Sequence, residues 1–124
     1  MDGSNTFPKR ERLQRNYEFR RVYEHGRKVE GKYVVLYIWE GATETAAPGR
    51  RALGVVTSRK IGGAVTRNRA RRLLREAYRL NKHKLKTNLQ MVMVARIAIR
   101  GRRLQEIEAC LLDLFREAGA LIES

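Results

Sequence analysis

From Arg67 onward the chain carries a segment patterned as a helix with one wet side and one dry side. On a helical wheel Arg71, Arg72, Arg75, Arg79 and Lys82 fall within an arc of roughly 100°. Ala70, Leu73, Leu74, Ala77 and Leu80 fill a separate arc of about 120°. Arg67, Arg71, Arg75 and Arg79 stand in an i, i+4, i+8, i+12 row. Like charges at that spacing repel, and a merely solvated face relieves the repulsion with glutamates. Here Glu76 is the single acid, so the row reads as a ridge built to meet phosphates. Thr66 is placed to cap this helix through its hydroxyl. The glycine-bearing stretch 58–64 before it offers backbone amides to a phosphate near the helix start.

The charge balance of the whole chain agrees. The 124 residues hold 27 Lys or Arg and 13 Asp or Glu, a net of +14. Residues 59–86 hold 11 bases against one acid, so +10 of the surplus lies in that segment and only +4 in the rest. A pI near 10.9, concentrated in this way, is the electrostatic footprint of nucleic-acid binding. An acidic membrane surface is the competing partner, but such binders carry an amphipathic helix with a bulky aromatic or leucine face. No apolar run approaches the ~20 residues of a membrane span, and the polar start of the chain does not read as a secretory signal. The one cysteine, Cys110, excludes an internal disulfide framework and a cysteine-rich zinc site. These features predict a cytoplasmic protein of a single domain, residues 1–124.

Elsewhere the chain alternates helix and strand signals. Residues 1–14 read as a flexible basic arm with Phe7 and Leu13 as anchors. Asn16 caps a short helix over 17–25 in this reading, with Gly26 as its left-handed terminator. Residues 27–30 suit a short strand. Tyr33 to Trp39 form a longer one, with Val34, Leu36 and Ile38 on one face and Tyr33, Val35, Tyr37 and Trp39 on the other. The aliphatic face belongs to a core. Tyr33 and Tyr37 suit a half-wet surface on which nucleobases stack, whereas Trp39 is equally well read as core. Residues 40–49 read as a hairpin loop, 51–57 as a strand, and 90–95 as a buried strand. A last helix over 103–120 carries the stripe Leu104, Ile107, Leu111, Leu114, Ala118 and Leu121, with Cys110 beside it as an inert buried thiol.

Hydrolytic chemistry is missing. General acid–base or metal catalysis needs clustered acids, histidines or metal ligands. The two histidines, His25 and His83, lie at a helix end and within the basic segment, and suit structural or phosphate-facing roles. Glu106, Glu108 and Asp113 lie on the solvated face of the last helix. There is no GxGxxG, GxxxxGK[ST] or HExxH motif.

The run SRKIGGAVTRNRARRLLRE, Ser58 to Glu76, resembles the RNR signature of the bacterial ribonuclease P protein component. Arg12-Leu13, Glu18-Phe19 and His25-Gly26 resemble that family's amino-terminal segment, with Tyr23 where phenylalanine is common. The resemblance implies an α/β fold of two-layer α+β sandwich type, order αβββαβα, similar to ribosomal protein S5 domain 2, with a left-handed βαβ crossover that general statistics disfavour. It also implies a subunit of an endoribonuclease in which a catalytic RNA, using bound Mg2+, removes the 5′ leader of precursor tRNA. On this resemblance Arg59, Lys60, Arg67, Asn68, Arg69, Arg71, Arg72 and Arg75 would contact the catalytic RNA, one protein to one RNA. Phe19, Tyr23, Val35 and Tyr37 would line the leader cleft. A ribosomal or ribosome-assembly protein of similar fold is the alternative that charge alone allows, and an autonomous metal-dependent nuclease the third.

Overall fold

The computed structural model describes residues 11–40 and 51–122. In chain order it has α1 (Asn16–His25), β1 (Arg27–Glu30), β2 (Val34–Glu40), β3 (Ala52–Val56), α2 (Ala64–Asn81), β4 (Leu89–Ala95) and α3 (Leu104–Ala118). This is the αβββαβα order expected.

The four strands form one sheet in the order β1-β2-β4-β3. β1, β2 and β4 are antiparallel, while β3 runs parallel to β4. Helix α2 is therefore the crossover between parallel neighbours, the connection such a pair requires. The strand order corrects the hairpin reading of residues 40–49. β4 lies between β2 and β3, so the two strands flanking that stretch never pair; residues 41–50 themselves lie outside the described residues.

The period of two in the strands divides the core. Leu36 pairs with Met93 and Ile38 with Met91, and these residues join Leu53 under α2 and α3. Helix α2 contributes Ala70, Leu74, Ala77 and Tyr78; α3 contributes Ile107, Leu111, Leu114, Phe115 and Ala118. The other sheet face carries Val35, Tyr37 and Trp39 with Ala52, Val92 and Val94, and Val22 of α1 is buried on it. The sheet and its α2–α3 layer make the two-layer sandwich, and α1 adds a partial third layer on the opposite side.

Several local expectations need correction. Residues 64–66 are already helical, with Gly63 preceding the first turn, so Thr66 is inside α2 instead of capping it. Asn16 likewise begins α1, and Arg15 stands at the cap position. The exposed start of α1 is closed by Glu18, whose Oε1 accepts the N–H groups of Gln14 at 2.8 Å and Arg15 at 3.0 Å. Gly26 is not left-handed, since its φ is −87°. It is confined by space: a Cβ there would lie 2.6 Å from the Val22 carbonyl oxygen and 2.8 Å from that of Ile38. Tyr33 precedes β2 and escapes its alternation, so it is buried with the α2–α3 core and does not face the half-wet side. Residues 1–10, including Phe7, lie outside the described residues. Arg12 and Leu13 are fixed along the β3 edge, where Arg12 bridges Leu53 and the Leu13 N–H donates to the Leu53 carbonyl at 3.0 Å.

Candidate nucleic-acid interface

Helix α2 presents its arginines beside the end of β3. Arg12, Asn68, Arg71, Arg72, Arg75, Glu76 and Arg79 line a shallow depression of about 400 Å³. Five guanidiniums and one carboxylate leave it a net +4. Arg71 donates to the hydroxyl of Thr57, just past β3, and to the side-chain oxygen of Asn68. Asn68 thus orients an arginine as well as lying on the exposed face. Arg75 is held below the ordinary arginine range, first by partial desolvation and then by repulsion from Arg12 and Arg71. An anion entering the depression relieves that repulsion. Glu76 grips Arg79 at 2.6 Å, and hydrogen bonding to Arg79 lowers the carboxyl below the usual glutamate range.

The remaining basic residues of the signature spread around this row. Arg59 and Lys60 are exposed in a single 3-10 turn, Arg59–Ile61, ahead of α2. Arg67 is half-buried in the first turns of α2, and its Nε is buried without a hydrogen-bond partner. Arg69 lies off the row and donates to the Arg102 carbonyl at 3.0 Å. Lys82, which falls within the basic arc on the wheel, is buried against Glu11 and does not belong to the ridge.

The cleft residues converge on the opposite sheet face. The Phe19 ring lies over Gly54, which leaves room because it has no Cβ. Tyr23 and Tyr37 meet edge to face at 4.7 Å. Partial burial, and then Tyr37, pushes the Tyr23 hydroxyl above its ordinary pKa, so it stays a proton donor. Val35 is half-buried beside Val94 and across from Val56 in the same register. The Lys28 ammonium stands 6.0 Å from the Tyr37 ring centre, a neighbour set by the β1–β2 register. Trp39 stacks with His25 at 5.1 Å, and the Arg21 guanidinium lies 5.1 Å from its ring centre. Aromatic faces with nearby cations suit stacked bases and phosphates of a single strand.

The arginine row and the aromatic cleft adjoin, because Val56 faces the cleft and the next residue, Thr57, receives Arg71. Sequence reasoning missed Arg12, Lys28 and Gly54. Each acts through a strand pairing or a packing contact that no local pattern reveals. Among the described residues, no three His, Cys, Asp or Glu side chains gather into a metal-binding group, and no helix is long and apolar enough to cross a membrane.

Comparison with known proteins gives one family. The Ribonuclease P family profile matches residues 7–119. A ribonuclease P protein component of Clostridium acetobutylicum is 37% identical over 114 residues, covering 92% of this chain and 93% of that protein. One from Clostridioides difficile is 34% identical over 111 residues, covering 89% and 93%. The ribonuclease P protein of Thermotoga maritima superposes with a TM-score of 0.74 at 26% identity, over 93% of this chain and 100% of that one. The Staphylococcus aureus protein superposes at 0.76 and 25% identity, over 90% and 98%. The chain therefore belongs to the bacterial ribonuclease P protein family.

Proposed function

We propose that this chain is the protein subunit of a ribonuclease P holoenzyme, one protein to one catalytic RNA, acting in removal of the 5′ leader from precursor tRNA. The observation that carries the reading is the α2 depression with its net +4, set next to an aromatic cleft of different chemistry. Arg71, Arg72 and Arg75, with Arg59, Lys60, Arg67, Asn68 and Arg69 around them, bind phosphates of the RNA subunit without reading sequence. Phe19, Tyr23, Val35 and Tyr37 hold the single-stranded leader by stacking, which every base permits. Such a division of labour suits a protein that must accept many leaders.

In this reading the chemistry belongs to the RNA, with Mg2+ held by its phosphates. Among the described residues no three acidic side chains come together in a way that could hold that ion, and in this reading the ion belongs to the RNA. The protein raises the affinity of the RNA for substrate and lowers the magnesium needed for productive binding by neutralising phosphates.

The test is 5′-end cleavage of a precursor tRNA at low magnesium, by protein alone, bacterial ribonuclease P RNA alone, and both. Correct cleavage only with both, or far faster with both, is the expected result. Cleavage by purified protein alone overturns the division of labour. Tight RNA binding without stimulation turns the reading toward a ribosome-associated role.

A further inference from the structure

Glu11 and Lys82 form a buried ion pair that the arginine row does not use. Lys82 Nζ donates to Glu11 Oε1 at 3.1 Å and Oε2 at 3.0 Å, and Tyr78 Oη donates to Oε1 at 2.9 Å. The Lys82 side chain is 2% exposed and that of Glu11 11%. Burial, with Glu11 beside it, pushes the Tyr78 hydroxyl far above its ordinary pKa, so it remains a donor to the carboxylate. Buried ion pairs are a weak source of stability, because an apolar trio of similar volume packs about as well. Their distinctive property is that a single arrangement satisfies both charges. Glu11 has one place to sit.

That place determines where the next residue goes. Along this segment Glu11 is buried, Arg12 exposed and Leu13 buried; Arg12 bridges Leu53 and Leu13 is hydrogen-bonded to β3. Arg12 is pinned from both sides and emerges into the depression with Arg71, Arg72 and Arg75. It is close enough to disfavour the charged form of Arg75. A loose basic arm would swing away from that repulsion, and this one is held against it.

We infer that Glu11, clamped between Tyr78 and Lys82, is a positioning residue that presents Arg12 as a phosphate-binding member of the α2 row. The inference deepens the RNA-binding reading of that face and rests on it. Holding a cation in place before the polyanion arrives removes an ordering cost from binding.

The test measures affinity across a salt series for two probes, a bacterial ribonuclease P RNA and a uridine oligonucleotide. The variants are Arg12→Ala, Glu11→Gln and the two combined. Arg12→Ala is expected to lower the log–log salt slope by about 0.7 to 0.9, a loss of roughly five- to eightfold between 1 M and 0.1 M salt. Glu11→Gln should reproduce that loss although it touches no RNA, and the combined variant should lose no more than either alone. An unchanged slope in Arg12→Ala overturns the inference, and so does a combined loss equal to the product of the single losses. Where Glu11→Gln does not fold, Tyr78→Phe replaces it under the same criteria, with and without Arg12→Ala. Failure of the functional reading has a separate signature: the unmodified protein binds ribonuclease P RNA no more tightly than the oligonucleotide, on which the Arg12 slope is still read.

Discussion

A Cβ placed on Gly54 would lie 2.3 Å from Phe19 Cε2 and 2.6 Å from Cζ, so the cleft floor depends on a missing methyl group. Gly54→Ala must expel the Phe19 ring. It should cost about 1–3 kcal/mol, as overpacking does, read by urea denaturation, with single-strand affinity falling in parallel. Glu76 sets a second residue-scale balance. Because Arg79 holds its carboxyl below the usual glutamate range, Glu76 stays charged at pH values where ordinary glutamates begin to protonate, and it keeps occupying Arg79. Any stability from the pair is therefore present at neutral pH and lost only as pH falls through that lowered value. Glu76→Gln removes the carboxylate that grips Arg79 and should steepen the salt dependence of RNA binding by up to about 0.7 to 0.9 in the log–log slope; an unchanged slope would mean that Glu76 does not limit the share of Arg79 in RNA binding. Patterning revealed Tyr37, Arg71 and Arg75 because each follows the period of its own element. Lys82 broke the pattern because α2 ends at Asn81 and a 3-10 turn follows. The tighter winding carries Lys82 inward to Glu11. Tyr78 fell between the two arcs of the wheel; its ring is buried in the main core, and its hydroxyl is satisfied by Glu11, 67 residues away.

At the scale of elements, α2 and β2 divide the binding between two kinds of physics, and salt separates them. Arg71 and Arg75, replaced together by alanine, should lower the salt slope for holoenzyme assembly by about 0.7 to 0.9 per lost phosphate contact. Thermal unfolding of the same variant shows what the loss of the Arg71–Thr57 bond costs the fold. Tyr37→Ala should leave the slope in place and weaken precursor tRNA by ~1–3 kcal/mol while sparing mature tRNA. Equal losses for both ligands would remove Tyr37 from the leader cleft. Each of these elements was visible in the sequence from its own period, and the αβββαβα order followed. The pairing was not visible. The Gly, Ala, Thr and Pro of residues 40–49 read as a hairpin loop, whereas β4 enters between β2 and β3. That insertion builds the cleft. It lines Val92 and Val94 up with Tyr37 and Val35 on one side and with Gly54 and Val56 on the other.

Taken as a whole molecule, the protein is charged asymmetrically, and the asymmetry bears on how it meets RNA. The α2 depression carries five arginines and one glutamate. A second hollow of about 420 Å³, between the turn joining β1 to β2 and helix α3, is lined by Glu30, Glu106, Asp113 and Glu117 against Lys32, and shares no residue with the first. Several of these carboxylates are paired, Glu30 with Arg96 and Asp113 with Arg116, so this side is nearly neutral in a chain of +14. A polyanion approaching such a field is turned toward the α2 side before contact. Cys110, the one cysteine, lies in the second hollow and is partly exposed instead of buried as the core stripe suggested, so it reports on that side directly. Labelling Cys110 with a charged maleimide dye should leave the affinity for ribonuclease P RNA and its salt slope unchanged. The same dye on Asn68→Cys, in a Cys110→Ser background, should sharply weaken binding, because Asn68 lines the arginine depression. Comparable losses at the two sites would mean that RNA wraps the molecule, and the asymmetry of charge would then have no bearing on its orientation.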